Sequence, residues 1–214
     1  MISPLQKVYR ILFDKFGPQG WWQLSDCGYH YGDYNYPHNE KQIYEIIVGS
    51  ILAQNSKWDK CYAAIQQLRM HSLLSPNIIL SHEILEHIKI AGTHNKKLQY
   101  IKNVTQFYID LNGSIPSRES LLNVVGIGEE TADYILLYGY KVMTIPITTE
   151  VRKLLYWPTG NKKANKITRE YIMASLEYKL DTYQEFAPLA LRCIRAKEDI
   201  YEIRSEIQKI LNEN

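Results

Sequence analysis

Around residue 126 the chain reads LLNVVGIGEETADYILL, and the part that could do chemistry is Val125-Gly126-Ile127-Gly128. Apolar residues at helical spacing lead into it over residues 119–124 and continue after it over 130–138. Two glycines one residue apart permit a sharp turn at positive φ, which side chains resist, and let a backbone pass close to another surface. The segment is predicted to form a helix, a glycine hairpin and a second helix. The free amides at the start of the second helix, with its dipole, form a seat for a phosphate. An ordinary tight turn between two packed helices uses the same pattern, and from these residues alone both readings stand.

The elements that must position this turn are helices. Periodicity predicts them over residues 5–16, 42–52, 57–70, 78–87, 95–110, 117–124, 130–138, 149–156 and 167–176, with a long final run over 183–211. Ser56 and Ser117 stand where N-caps belong. Gly17-Pro18, Pro37, Ser75-Pro76, Gly113, Pro116, Pro146 and Pro158-Thr159-Gly160 punctuate the pattern, and residues 25–39 read as a long loop. The fold class is all-α.

At 214 residues the chain can bury a core of one domain or two small ones. The N-terminal stretch is amphipathic with charges throughout, unlike a signal sequence, and no apolar run approaches the ~18 residues of a membrane span. A net charge of +2 does not by itself point to nucleic acid. Local clusters at Lys96, Lys97 and Lys102, and at Lys162, Lys163 and Lys166, are either solvated faces or phosphate contacts. Cys27, Cys61 and Cys193 form no CxxC pair, which suits free thiols in a reducing, intracellular setting. The six histidines show no zinc spacing.

LLNVVGIGEETADYILLYGY resembles the helix-hairpin-helix of the endonuclease III superfamily of DNA glycosylases. EIIVGSILAQNSKWDKC (45–61) and AGTHNKKLQYIKN (91–103) resemble two further family segments in the right order. The look is nearest to the branch of 3-methyladenine DNA glycosylases and archaeal endonuclease III-related proteins. The resemblance implies two helical domains with a cleft between them, here residues 40–140 and residues 1–39 plus 141–214. It implies duplex DNA with a damaged base or abasic site as partner, no membrane, and a monomer. A glycosylase expels a flipped base through an oxocarbenium-like state, which asks for stacking walls and a stabilising carboxylate. On this pattern Gln54, with Asn55 beside it, is the wedge that fills the hole left by the base. Trp21, Trp22 and Trp58 are candidate walls able to make cation–π contact with an alkylated base, although tryptophans more often belong to a core. The hairpin of Gly126, Ile127 and Gly128 holds a phosphate. The carbonyls of Leu122, Val124 and Ile127 hold a monovalent cation, Na+ or K+, when DNA is bound.

Two positions depart from the family. The lyase lysine falls at Glu130, and a carboxylate cannot form a Schiff base, so strand cleavage is disfavoured; Lys141 is a substitute only in principle. The catalytic aspartate falls at Thr148, where a neutral hydroxyl can cap the next helix but gives little to a cationic transition state. Asp133 and Glu150 are the nearby acids, and a helix-packing role suits Asp133 better. Relatives often hold an iron–sulfur cluster on four cysteines; only Cys193 matches one of these, so no cluster is expected. The expected activity is a monofunctional glycosylase acting on an alkylated base, with a non-catalytic damage-binding relative as the alternative.

Overall fold

Helices begin where a side chain can accept from the otherwise orphaned first amides. Ser3 accepts from the amide of Gln6 ahead of α1 (Pro4–Phe16), and Asn39 from that of Gln42 ahead of α2 (Glu40–Leu52). Ser117 does the same for α7 (Arg118–Leu122) and Thr168 for α10 (Arg169–Ser175). The expected cap at Ser56 is not made: Lys57 precedes α3 (Trp58–Met70) with no side-chain cap, because the Ser56 hydroxyl turns to the carbonyl of Lys57. These elements come from a computed structural model that describes residues 2–156, 168–196 and 201–212. Among the described residues the remaining helices are α4 (Pro76–Ser81), α5 (Leu85–Ile88), α6 (His94–Asp110), α8 (Glu129–Tyr134), α9 (Thr149–Tyr156), α11 (Leu180–Arg195) and α12 (Tyr201–Asn212), and the extended pairing is one isolated bridge between Leu24 and Gly28. The chain is all-α.

Three predicted helices are divided. The run at 78–87 splits into α4 and α5, because His82 is extended and the Glu83 carboxylate caps the amide of Leu85. The helix after the hairpin widens into a π turn over Ile135–Gly139. The final run splits into α11, ended by extended Ala196, and α12. The cluster Lys162, Lys163 and Lys166 lies outside the described residues.

Two compact units emerge, one of Met1–Trp21, Tyr29–Tyr34 and Met143–Asn214, the other of Trp22–Gly28 and Asn35–Val142. In the first, α1 packs on α11; Leu5, Val8, Tyr9 and Leu12 form the buried apolar stripe of α1 at helical spacing, and Phe186, Leu189 and Ala190 are buried on α11. In the second, α2 is the central helix and is buried nearly all round. Cys61, Ala64, Ile65 and Leu68 of α3 and Ile101 and Val104 of α6 close over it in one core.

Candidate functional site

The hairpin between α7 and α8 is shaped by what presses on it. Gly126 adopts φ +104°, and a Cβ there would lie 2.2 Å from Cγ of Tyr100, so the α6 ring sits directly against its backbone. Gly128 differs from the expectation of two positive-φ glycines. Its φ is −96° with ψ 177°, extended backbone open to any residue, and a Cβ would meet nothing within 4 Å. The first glycine therefore serves packing and the second keeps a space open in front of α8. Gly128 brings no side-chain cap of its own to α8, and the first amides of a helix are the donors that suit a phosphate. Glu129 and Glu130 stand in that first turn, both exposed, where they favour the helix dipole but oppose an anion.

The tip is held from three directions within this unit. Asn103 of α6 donates from Nδ2 to the carbonyl of Val125 (3.0 Å). Arg118 of α7 donates from Nε and Nη2 to the two carboxylate oxygens of Asp133 on α8 (2.9 and 3.1 Å). Asp133 is 2% exposed, so it joins the hairpin's two helices and is not an acid presented to a substrate. Gln54, in the turn after α2, donates from Nε2 to the carbonyl of Gly126 (2.9 Å) and to Oγ1 of Thr131 (3.0 Å). Asn55 follows at φ +51° with its side chain exposed. Among the cation carbonyls, that of Val124 already accepts from the amide of Ile127 (3.0 Å), which leaves a second lone pair.

The three tryptophans differ. Trp22 is 4% exposed, with its ring against those of Trp58, Tyr134 and Tyr138 and against Gly49, whose missing Cβ admits it; it is packed as a core residue. Trp58 is half-buried and donates from Nε1 to Oε1 of Gln23 (2.5 Å). Trp21, in the first unit, is half-buried and meets Tyr29 edge-on.

Thr148, also in the first unit, is 6% exposed, and its hydroxyl accepts from the amide of Val151 (3.1 Å) at the start of α9. It is the helix cap that the TTE sequence suggested. Glu150 is paired with Arg195 (2.7 Å). Lys141 donates from Nζ to the carbonyl of Asn35. The cysteines do not suit a cluster. Cys61 and Cys193 are buried in the cores of their own units, and burial pushes the Cys61 thiol up to about 12 and raises that of Cys193. Three separate thiols fall short of the four thiolates that such a cluster takes.

Sequence reasoning overlooked Tyr100, Arg118 and a buried carboxylate, Glu45. The last accepts from the amide and hydroxyl of Ser25 (2.6 Å each), and burial raises its pKa. In sequence Lys97 reads as part of a basic cluster, a solvated face or a phosphate contact, whereas in the structure it is 2% exposed. The signal was present: Lys97, Ile101, Val104 and Thr105 follow the i, i+4, i+7, i+8 spacing of the inner face of α6.

No family model matches the chain. It is 31% identical over 202 residues, 86% of its own length and 84% of the relative's, to a Methanocaldococcus jannaschii protein classed as a DNA repair glycosylase. It is 31% identical over 124 residues to endonuclease III of Sulfolobus acidocaldarius, covering 54% of this chain and 56% of that protein. Among solved structures it is similar to the H. pylori 3-methyladenine DNA glycosylase bound to 1,N6-ethenoadenine (TM-score 0.60, 16% identity, 98% of this chain and 95% of that one). It is also similar to endonuclease III in a non-covalent DNA complex (TM-score 0.67, 15% identity, 98% of each chain). At such identities these two likenesses speak for the fold.

Proposed function

This chain belongs to the endonuclease III superfamily of helix-hairpin-helix DNA glycosylases, and from that premise we propose that it is a monofunctional glycosylase hydrolysing the N-glycosidic bond of a flipped, damaged base in duplex DNA. The observation that carries this reading is the pair of bonds from Gln54 to Gly126 and Thr131. They hold the wedge candidate beside the phosphate seat, so a duplex gripped at the hairpin has the wedge within reach. The Gln54 amide has donors and an acceptor for the bases around the vacated position once it swings away from the hairpin. A monovalent cation on the carbonyls of Leu122, Val124 and Ile127 would offset the opposition of Glu129 and Glu130 to a phosphate.

Glu130 at the lyase position leaves water as the nucleophile and the strand uncut. Thr148 supplies no carboxylate, which favours substrates that ionise readily. Alkylated purines are the base class that asks least of the protein, and the exposed part of the Trp58 ring is suited to stack on such a base. A second reading, a relative that holds damage without excising it, is favoured by the Thr148 hydroxyl being committed to a helix cap.

The test uses a duplex with one alkylated purine, scoring free base, strand scission before and after alkali, and borohydride trapping. Free base with an intact strand until alkali, and no trapped adduct, is expected. A trapped adduct with alkali-independent scission overturns the monofunctional assignment. Tight lesion binding without any release assigns the second reading.

A further inference from the structure

Lys97 is a buried ammonium whose partners are two backbone carbonyls. Its Nζ donates to the carbonyl of Leu52 (2.7 Å) and to that of Ala91 (2.8 Å). Leu52 ends α2, and its carbonyl is among those a helix leaves without an i+4 amide partner. Ala91 ends a short 3₁₀ segment, Lys89–Ala91. Each carbonyl therefore stands at the root of a turn: Ala53 to Ser56, which carries Gln54, and Gly92-Thr93, which opens α6. Both turns contain a residue other than glycine in the left-handed region, Asn55 at φ +51° and Thr93 at φ +44°. Such a conformation persists where its surroundings over-determine it.

A methionine or leucine would fill the same volume at less electrostatic penalty, since a charge in a core must be compensated. The negative end of the α2 dipole supplies part of that compensation. What the ammonium adds beyond volume is direction, because its two N–H bonds tie the two turns to one atom. Gln54 can then swing its side chain away from Gly126 while the backbone beneath it stays fixed.

We propose that Lys97 is the positioning residue for the Gln54 wedge, holding the 53–56 and 92–93 turns in the geometry used on DNA before DNA arrives. The inference rests on the wedge reading of Gln54. Without Lys97 the turn must be ordered on binding, and the entropy of ordering is taken from lesion recognition. Affinity for intact duplex, which does not use the wedge, is unaffected.

The test is a double-mutant cycle on affinity for abasic over intact duplex, with Gln54→Ala, Lys97→Met and the pair. Each single change is expected to lower that ratio roughly tenfold, the scale of one charge-assisted bond, and the pair no further. Gln54→Ala without effect defeats the wedge reading itself. Gln54→Ala with an effect and Lys97→Met without one, or with equal losses on both duplexes, defeats this proposal alone. A second measurement on the native chain covers the case in which Lys97→Met does not fold. Backbone 15N order parameters at Ala53, Gln54, Asn55 and Thr93 should already be about 0.85 without DNA and unchanged on abasic duplex. Values below about 0.6 that rise on binding overturn the proposal.

Discussion

Replacing Gly126 by alanine separates the two glycines of the hairpin. Two effects add. At φ +104° a side chain introduces backbone strain of about 1–2 kcal/mol. The new Cβ would also stand 2.2, 2.3 and 2.7 Å from Cγ, Cδ1 and Cβ of Tyr100. The first two atoms are at the root of a ring packed against the core, not at the free end of a flexible chain, so either the ring or the hairpin must shift, at about 1–3 kcal/mol. The sum is about 2–5 kcal/mol, a fall in Tm on the order of 10 °C for a chain of this size. The assay is thermal and urea unfolding of Gly126→Ala, Tyr100→Ala and the pair. With the ring removed, only the strain part of Gly126→Ala should remain, so the coupling between the two sites is about 1–3 kcal/mol. A loss below about 0.5 kcal/mol in the native background, or an equal loss with and without the Tyr100 ring, refutes the reasoning.

Gly128→Val, by contrast, should leave Tm unchanged within about 0.5 kcal/mol of stability, since extended backbone and open space await the side chain. It should weaken binding to all duplexes alike in a fluorescence titration, and unchanged affinity at moderate salt counts against the phosphate seat. Arg118→Ala should destabilise by about 2–3 kcal/mol on urea unfolding, below the 3–5 of a fully buried pair, because Arg118 is 25% exposed while Asp133 is buried; a neutral change would show that the pair does not fasten the hairpin. For Glu45, burial raises the carboxyl pKa in the folded chain, so folding favours its protonated form. That contribution is present below the ordinary value of about 4.3 and is lost as pH rises through the raised one. The stability of the native chain relative to Glu45→Gln should therefore fall as pH rises across this window, and a flat difference contradicts the assignment.

Much of the helical framework could be read from periodicity and punctuation, and of the two expected caps Ser117 caps the helix after it while Ser56 does not. The cap at Thr148 was readable for the same reason, since the pattern is local. What escaped depends on contacts far along the chain. Gly126 and Gly128 look alike in sequence, and a ring 26 residues upstream of the first distinguishes them. The charge of Lys97 points to a surface although its spacing puts it on the inner face of α6, because no local rule shows that two carbonyls, 45 and 6 residues away, wait for it. Trp22 reads in sequence as a candidate wall, and its burial follows from Gly49 in α2 admitting the ring.

The claim that this chain is a glycosylase working without the family's carboxylate meets its most direct test in single-turnover base release from an alkylated duplex, comparing the native chain with Thr148→Asp. Aspartate keeps the cap on α9 as well as threonine does, so the fold should be untouched. The account predicts slow but measurable release by the native chain and a gain of roughly 10²–10³ on restoring the carboxylate, with the strand intact until alkali in both. No release by either chain, with the lesion duplex tightly bound, would contradict it.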